Sequence, residues 1–336
     1  MKNFYKILFF NLLIISTLIA ISSLSWLTVW ISLEMNLLAI MPLMSNLNNK
    51  YSNESAIKYF IIQAMASNLL LFSITIFLLM KPFNLNLFMF SSILTDSALF
   101  MKMGAAPFHF WLPEIISGLN WEMVFTLLTW QKIGPMILLS YSIYIPMFMS
   151  IIIIFSSLIS GIQGTNQMCL RKIMAYSSIN HTGWMIAAIM NSFNIWTYYF
   201  FIYFIINLNI TFILNKYQMF YSNQLSKLFS SNKYKKIFFM LNFLSLGGLP
   251  PFLGFLPKWM TINFLILENF YTLSFFLIIF TLISLYFYMR ITFSSLTLNS
   301  IESFTNIILK VNFLHFFLNF LSLSGLMIMF YLTNFF

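Results

Sequence analysis

The chain has 336 residues, of which 60% are hydrophobic and 7% are charged, and its formal net charge is +10. A mean hydropathy of +0.88 and repeated apolar runs of membrane-spanning length exclude a soluble globular protein and indicate an all-α polytopic membrane protein. Cys169 is the lone cysteine, and the sequence lacks Cys/His clusters and Gly-rich phosphate loops. We therefore expect no disulfide and no metal, nucleotide or flavin site in this chain.

Apolar runs, bounded by polar residues or by Pro and Gly, predict eleven transmembrane helices. The predicted spans are 4–23, 25–45, 56–80, 86–117, 121–143, 146–163, 172–191, 194–215, 237–267, 270–290 and 311–333. The first span begins almost at Met1 and carries no small-residue cleavage site. We therefore expect a retained helix and not a signal peptide.

The fourth and ninth spans are too long for a single crossing, and each is interrupted. The interruptions are GAAP at 104–107 and GGLPP at 247–251. Proline lacks the backbone donor and clashes with the preceding turn, so both spans are predicted to be discontinuous helices. Broken membrane helices occur where protein or water satisfies the freed backbone groups, which is typical of ion sites.

The two interruptions resemble each other in sequence. The matched pairs are Gly104 with Gly248, Pro107 with Pro251, Phe108 with Phe252, Trp111 with Phe255, Leu112 with Leu256 and Pro113 with Pro257. Because the second copy begins five spans after the first, an odd number, the pattern predicts two inverted five-helix repeats. The repeats would cover about 4–143 and 146–290, followed by a final helix at about 311–333. Chance identity in an apolar sequence is the alternative.

The basic residues lie almost entirely in alternate loops. One side of the predicted membrane holds Lys2, Lys6, Lys50, Lys58, Arg171, Lys172, Lys216, Lys227, Lys233, Lys235, Lys236, Arg290 and Lys310. The other side holds Lys81. The positive-inside rule then predicts an inside N-terminus and an outside C-terminus. The net charge thus reflects topology and contact with anionic lipids, and nucleic acid is not an expected partner.

Of the charged residues inside predicted spans, four are the candidate functional residues. They are Glu34 in the second span and Lys102, Lys132 and Lys258 in later spans. A charge at the bilayer centre costs at least about 2.5–3.5 kcal/mol on insertion scales, so such residues are usually functional. Burial penalises the charged ammonium and a nearby carboxylate favours it, which makes a lysine able to exchange protons in response to its surroundings. This set therefore predicts a path for protons.

Four sequence motifs identify the chain as a member of a known family. They are KMGAAPFHFW at 102–111, TWQKIGP at 129–135, LRKIMAYSSINH at 170–181 and LSLGGLPPFLGFLPK at 244–258. They resemble the antiporter-like membrane subunits of mitochondrial NADH:ubiquinone oxidoreductase (respiratory complex I), in the shortened animal form. An excess of Phe, Ile, Met, Asn and Lys resembles the product of an A+T-rich organellar genome, as in arthropods.

The resemblance implies a single antiporter-like membrane domain over 1–336 in the proton-pumping arm of complex I. It implies that Glu34 and Lys102 form a glutamate–lysine pair, that Lys132 is the central proton carrier, that His181 connects the two halves, and that Lys258 leads toward the exit. The expected partners are other membrane-arm subunits, including neighbouring antiporter-like subunits, and membrane lipids such as cardiolipin. FMN, iron–sulfur clusters and ubiquinone would be bound elsewhere in the complex.

Each candidate residue also has a structural interpretation. The three lysines would then cap exposed carbonyls beside a broken or proline-containing helix, Lys258 above all, and Glu34 would neutralise a buried lysine. His181 lies in the polar run SSINHT at 177–182 and would be a hydrogen-bonded interhelical histidine. Asp96 lies inside the fourth span and matches no residue to which the resemblance gives a role; a local polar partner is expected for it.

Two other functions are compatible with these residues. A stand-alone cation/proton antiporter would share the broken-helix lysines. A non-conducting scaffold of the complex would leave the cost of three lysines in the membrane unexplained.

Overall fold

The computed structural model describes residues 4–46, 49–79, 85–225 and 233–296, together with positions 317, 319, 320 and 322. The described chain is built from α-helices joined by short loops, with one 3₁₀ turn at Ser222–Gln224. The helices are α1 (Phe4–Ser22), α2 (Trp26–Met44), α3 (Lys50–Leu79), α4 (Leu85–Met103), α5 (Trp111–Gly118), α6 (Trp121–Leu128), α7 (Trp130–Tyr141), α8 (Pro146–Thr165), α9 (Leu170–Asn191), α10 (Phe193–Tyr217), α11 (Lys233–Gly247), α12 (Phe255–Leu267) and α13 (Tyr271–Leu296).

Many polar side chains lie inside the protein, and many large apolar side chains face outward. Ile7, Leu18 and Leu38 are each more than half exposed. Ser32 and Ser73 are buried, and each donates its hydroxyl hydrogen to the carbonyl three residues earlier. Seven helical segments of the described part, with α6 and α7 taken together as one, are long and apolar enough to cross a membrane. The prediction of an all-α polytopic membrane protein is confirmed at this level.

Two compact units divide the chain, Met1–Ile152 and Ile153–Phe336. In the first unit α2 packs between α1 and α3, and α4 packs against α3 and α7. In the second unit α9 packs against α10, α12 and α13, and α11 packs against α10 and α13. Helices α1 to α5 begin at positions 4, 26, 50, 85 and 111, whereas α8 to α12 begin at 146, 170, 193, 233 and 255. Helices of the same rank thus start 142–148 residues apart.

Both predicted helix breaks are present, and both begin with the same turn. Helix α4 ends at Met103 and α5 begins at Trp111, while α11 ends at Gly247 and α12 begins at Phe255. The residue after each first half is a glycine in the left-handed region, Gly104 with φ +71° and Gly248 with φ +79°. Glycine is favoured there because it has no Cβ to clash with the backbone.

Two predicted spans need correction. The third begins at Lys50 and not at 56, because the polar segment 50–55 continues the helix. The fifth span is present over Trp121–Tyr141, but its helix is interrupted, since α6 ends at Leu128 and α7 begins at Trp130. The Phe125 carbonyl accepts both the backbone N–H of Thr129, at 3.1 Å, and its hydroxyl, at 2.7 Å. Such side-chain bonding to the preceding turn bends helices.

The predicted final span at 311–333 lies outside the described residues except for four positions. Asn319 and Ser322 are buried, whereas Phe317 and Phe320 are exposed. Asn242 donates to the Asn319 side-chain oxygen at 2.6 Å, and Ser322 donates to the Asn242 side-chain oxygen at 3.0 Å. These bonds attach the described part of this segment to α11.

Gly254 provides a test of the second break. A Cβ at this position would collide with the backbone carbonyl oxygen of Ser245, which side-chain rotation cannot relieve. We expect Gly254→Ala to destabilise the protein by about 1–3 kcal/mol, the usual cost of overpacking. Gly247→Ala is the matched control, because its Cβ would meet its nearest neighbour, Tyr288, at 3.6 Å. The measurement is the midpoint of heat-induced aggregation in mild detergent, and equal midpoints for the two variants would contradict the packing argument.

Candidate functional site

Lys102 lies in the last turn of α4 and is 7% exposed. The carbonyls at this helix end are bonded to other groups. Ala105 N–H donates to Phe100 O at 3.1 Å and Gly104 N–H donates to Met101 O at 3.3 Å, the pair of bonds that defines a Schellman turn. The Lys102 carbonyl itself accepts from the Gln63 side-chain amide at 3.4 Å. Capping of these carbonyls therefore does not require the Lys102 ammonium group.

A small polar cavity lies beside Lys102. Its volume is about 20 Å³, which is enough for one water molecule. Besides Lys102, the polar side chains that line it are Asn36, Tyr59, Gln63 and Gln131. A water in this cavity would have the two to four polar partners that a buried water needs. Helices α2, α3 and α7 and the last turn of α4 thus meet around a cavity in which a water molecule could take part in proton transfer.

The amide side chains of this cavity were not identified from the sequence. Gln131 donates to the Asn36 side-chain oxygen at 2.8 Å, which joins α7 to α2. Gln63 joins α3 to the end of α4 through the Lys102 carbonyl. The sequence does contain a signal for them, because each is an amide inside an otherwise apolar span. That signal does not show that the three amides converge.

Glu34 lies on α2 beside the cavity and is half-buried. Its neighbour Leu33 and the residue one turn later, Leu37, both line the cavity. The Glu34 carboxylate is close enough to act electrostatically on Lys102. Among the described residues, however, the ion pairs within 4.0 Å are those that Lys58 makes with Glu54 and Glu114, and Glu34 and Lys102 form no such contact. The two groups therefore interact through space without a direct salt bridge.

Lys132 lies in the first turn of α7, directly after the distortion at Thr129, and is 1% exposed. Its backbone N–H donates to the Thr129 carbonyl at 3.2 Å. The residues on either side of it in the helix, Gln131 and Pro135, line the polar cavity. The structure thus brings the predicted residues Glu34, Lys102 and Lys132 to one region of the first unit.

Lys258 follows the second break and is 5% exposed. Its ammonium group donates to the Gly247 carbonyl at 2.9 Å and to the Leu246 carbonyl at 3.4 Å, so it caps the end of α11. It also lies 5.8 Å from the centre of the Trp184 ring, within the range of a cation–π contact. The structural interpretation of Lys258 as a capping residue therefore has direct support from the geometry.

His181 is buried in the middle of α9, with 5% of its surface exposed. Its Nδ1 lies 2.9 Å from the hydroxyl oxygen of Tyr199 on α10, and its ring centre lies 5.0 Å from that of Tyr203. The adjacent Asn180 donates to the Ser284 hydroxyl on α13 at 3.0 Å. His181 therefore joins two helices of the second unit, and Tyr199 is its partner that the sequence pattern did not reveal.

Comparison with known proteins identifies the family. The family model described as "NADH:quinone oxidoreductase/Mrp antiporter, TM" matches residues 23–284. The chain belongs to this family. NADH-ubiquinone oxidoreductase chain 2 of Anopheles gambiae is 45% identical over 334 residues, covering 97% of each chain. The protein of the same name from Bos taurus is 39% identical over 317 residues, covering 90% of this chain and 88% of the relative.

Solved structures of the NADH:quinone oxidoreductase/Mrp antiporter type share the fold. A chain of respiratory complex I from Thermus thermophilus with bound aureothin has a TM-score of 0.86 at 21% identity, covering 96% of this chain and 78% of that one. A chain of the Mrp complex from Dietzia sp. has a TM-score of 0.74 at 15% identity, covering 83% and 58%. The family membership inferred from the four motifs is thereby confirmed. The roles of Glu34, Lys102, Lys132, His181 and Lys258 stay predictions.

The capping contacts of Lys258 predict an effect on stability. In Lys258→Met the carbonyls of Leu246 and Gly247 lose a buried donor, at an expected cost of about 1–3 kcal/mol. Lys258→Arg retains donors and should lose less. The measurement is the thermal unfolding midpoint of the solubilised protein. If Lys258→Met unfolds at the wild-type temperature, the capping role is wrong.

Proposed function

We propose that this chain is a membrane-arm subunit of proton-pumping NADH:ubiquinone oxidoreductase and translocates protons across the inner mitochondrial membrane. The observation that carries the proposal is a polar cavity lined by Lys102 and by the neighbours of Lys132, with Glu34 close enough to act electrostatically on Lys102. Near full-length similarity to proteins named NADH-ubiquinone oxidoreductase chain 2 supports the biological setting. Electron transfer from NADH to ubiquinone takes place in other subunits.

Proton transfer in the first unit begins with the charge balance between Glu34 and Lys102. Two unit charges about 8 Å apart interact by about 2 kcal/mol at an effective dielectric of about 20. Protonating Glu34, or moving it away, removes that attraction and favours release of the proton from Lys102. A water in the cavity between Gln63 and Gln131 passes the proton toward Lys132. The groups titrate as one coupled set.

The second unit continues the path through His181 to Lys258. The His181–Tyr199 contact orients the imidazole ring, which is needed for directed proton transfer. Lys258 leads toward the exit. Its capping bonds are compatible with this role, because a neutral amine keeps two N–H donors and two carbonyls require them.

The proposed membrane arrangement has eleven spans in two inverted five-helix repeats and a final helix. Its support is the regular spacing of corresponding helix starts and the left-handed glycine at both breaks. The repeats cover about 4–143 and 146–290. The distribution of basic residues supports an N-terminus on the matrix side and a C-terminus on the intermembrane-space side.

The proposed partners are the other membrane-arm subunits, including neighbouring antiporter-like subunits, and membrane lipids such as cardiolipin. The exposed apolar faces of α1 and α2 suit such contacts. This chain binds no redox cofactor of its own. FMN, iron–sulfur clusters and ubiquinone are bound by other parts of the complex.

A stand-alone cation/proton antiporter is the second candidate, and the shared fold with the Mrp complex favours it. The identity to that chain is 15%, compared with 45% to the Anopheles relative. Proton pumping that depends on NADH oxidation distinguishes the two functions. A scaffold without conduction is the third candidate.

Replacing Lys132 is the most direct test of whether this chain conducts protons. Lys132→Met removes the proton-binding group from a fully buried position and should lower coupled turnover by at least about tenfold, as expected when a proton-transfer group is lost. The measurement is proton pumping against NADH oxidation in inner-membrane vesicles, with assembly checked on a native gel. Lys6→Met, at an exposed position on α1, is the matched control. An assembled Lys132→Met complex with unchanged pumping would leave the scaffold function as the better account.

A further inference from the structure

Asp96 is a buried acid that the proposed proton path does not use. It lies on α4 with none of its surface exposed. Its Oδ1 accepts a hydrogen bond from the Ser142 hydroxyl at 2.6 Å, which joins α4 to the end of α7. Within the described part of the chain its Oδ2 is buried without a hydrogen-bond partner, and Asp96 takes part in no ion pair.

A carboxylate in this position is poorly compensated. Burying a charge without a counter-ion is costly, and binding a proton removes the charge. Helices α3 and α7 pack against α4. The ionisable residues on these helices and on the loop after α7 are Lys50, Tyr51, Glu54, Lys58, Tyr59, Lys132, Tyr141 and Tyr144. None of these residues forms a hydrogen bond or an ion pair with Asp96 in the described structure.

Ser142 can form a hydrogen bond with Asp96 whether Asp96 is ionised or protonated. Its hydroxyl oxygen lies 2.6 Å from Asp96 Oδ1 and 3.2 Å from the Leu139 carbonyl oxygen. When Asp96 is ionised, the hydroxyl donates to the carboxylate. When Asp96 is protonated, the acid donates to the serine oxygen, and the serine turns its own hydrogen to Leu139. Rotation of a single hydroxyl therefore keeps a hydrogen bond between the two residues in either state.

Asp96 lies near the middle of α4, and its partner Ser142 directly follows the last residue of α7. Lys102 is six residues further along α4, which corresponds to about 9 Å along the helix axis. A second cavity, of about 360 Å³, lies at the same end of α7 as Ser142 and is lined by Leu138, Tyr141 and the Ser22–Ser25 turn. Space for water therefore exists within about one turn of Ser142.

We propose that Asp96 is a further proton-binding residue of the first unit, held for both protonation states by Ser142. An O–H bond of a hydrated proton breaks as one forms on the Asp96 carboxyl, and the reverse step returns the proton to water near the loop that follows Ser142. In the proposed topology this loop faces the intermembrane space, so Asp96 lies on the outward side of Lys102. The inference rests on the proposed function.

The test compares variants of the assembled complex in inner-membrane vesicles. Asp96→Asn keeps the size and a hydrogen-bonding partner for Ser142 but cannot exchange a proton, so coupled pumping should fall at least about tenfold. Asp96→Glu, which retains an acid, should recover part of the rate. Infrared spectra in H₂O and D₂O provide a second readout: a protonated-carboxyl band of the wild type should be missing from Asp96→Asn.

If Asp96→Asn does not assemble, Ser142→Ala tests the role of Asp96 instead. It should slow pumping relative to Ser140→Ala, since Ser140, in the last turn of α7, donates to the Ile137 carbonyl at 2.6 Å and does not contact Asp96. Wild-type pumping in assembled Asp96→Asn, or in Ser142→Ala, overturns the role of Asp96. If Lys132→Met is slowed while Asp96→Asn is not, the proposed function stands without this residue. If pumping is slowed in neither variant, both the role of Asp96 and the proposed function are wrong.

Discussion

Backbone carbonyls freed inside an apolar layer must find donors within the protein, and this constraint shapes both helix breaks. At each break a Schellman turn around a left-handed glycine satisfies the first two carbonyls. The glycine is Gly104 at the first break and Gly248 at the second. The next carbonyls need donors from elsewhere. At the first break Gln63 supplies one from α3, and at the second break Lys258 supplies one from α12. The breaks therefore determine which polar side chains enter the interior.

The same constraint gives different roles to Lys102 and Lys258, the lysines beside the two breaks. Lys102 precedes the first break, and its backbone carbonyl takes part in capping while its side chain lines the polar cavity. Lys258 follows the second break, and its ammonium group is itself the cap. A proton released from Lys102 changes the charge facing Glu34. A proton released from Lys258 leaves the capping bonds possible, because the neutral amine still donates. One pair of similar sequence motifs thus supports two kinds of lysine.

Polar contacts in the interior also hold the helices together. Apolar association gives little specificity where the surroundings are as apolar as the side chains, so hydrogen bonds between helices select the partners. Gln131 with Asn36, Ser142 with Asp96 and Asn180 with Ser284 each join two helices within one unit. Several of these groups flank the candidate proton carriers. The residues that determine packing and the candidate proton carriers are therefore interleaved.

Amino-acid order alone determined the features that depend on neighbouring residues. Span hydropathy, proline positions and glycine pairs predicted the helices and both breaks, because these follow from local backbone chemistry and burial of apolar surface. The distortion at Thr129 was not predicted, because residue type alone does not determine it: Thr211 makes the same backward hydroxyl bond inside the uninterrupted helix α10.

Only the tertiary structure decided which distant polar groups meet. That Gln63 reaches the Lys102 carbonyl, that Tyr199 contacts His181, and that Ser142 contacts Asp96 depend on helix rotation and packing depth. A sequence pattern of nearly uniform hydrophobicity leaves these undetermined, because many rotations of an apolar helix bury similar surface and hydrogen bonding selects among them.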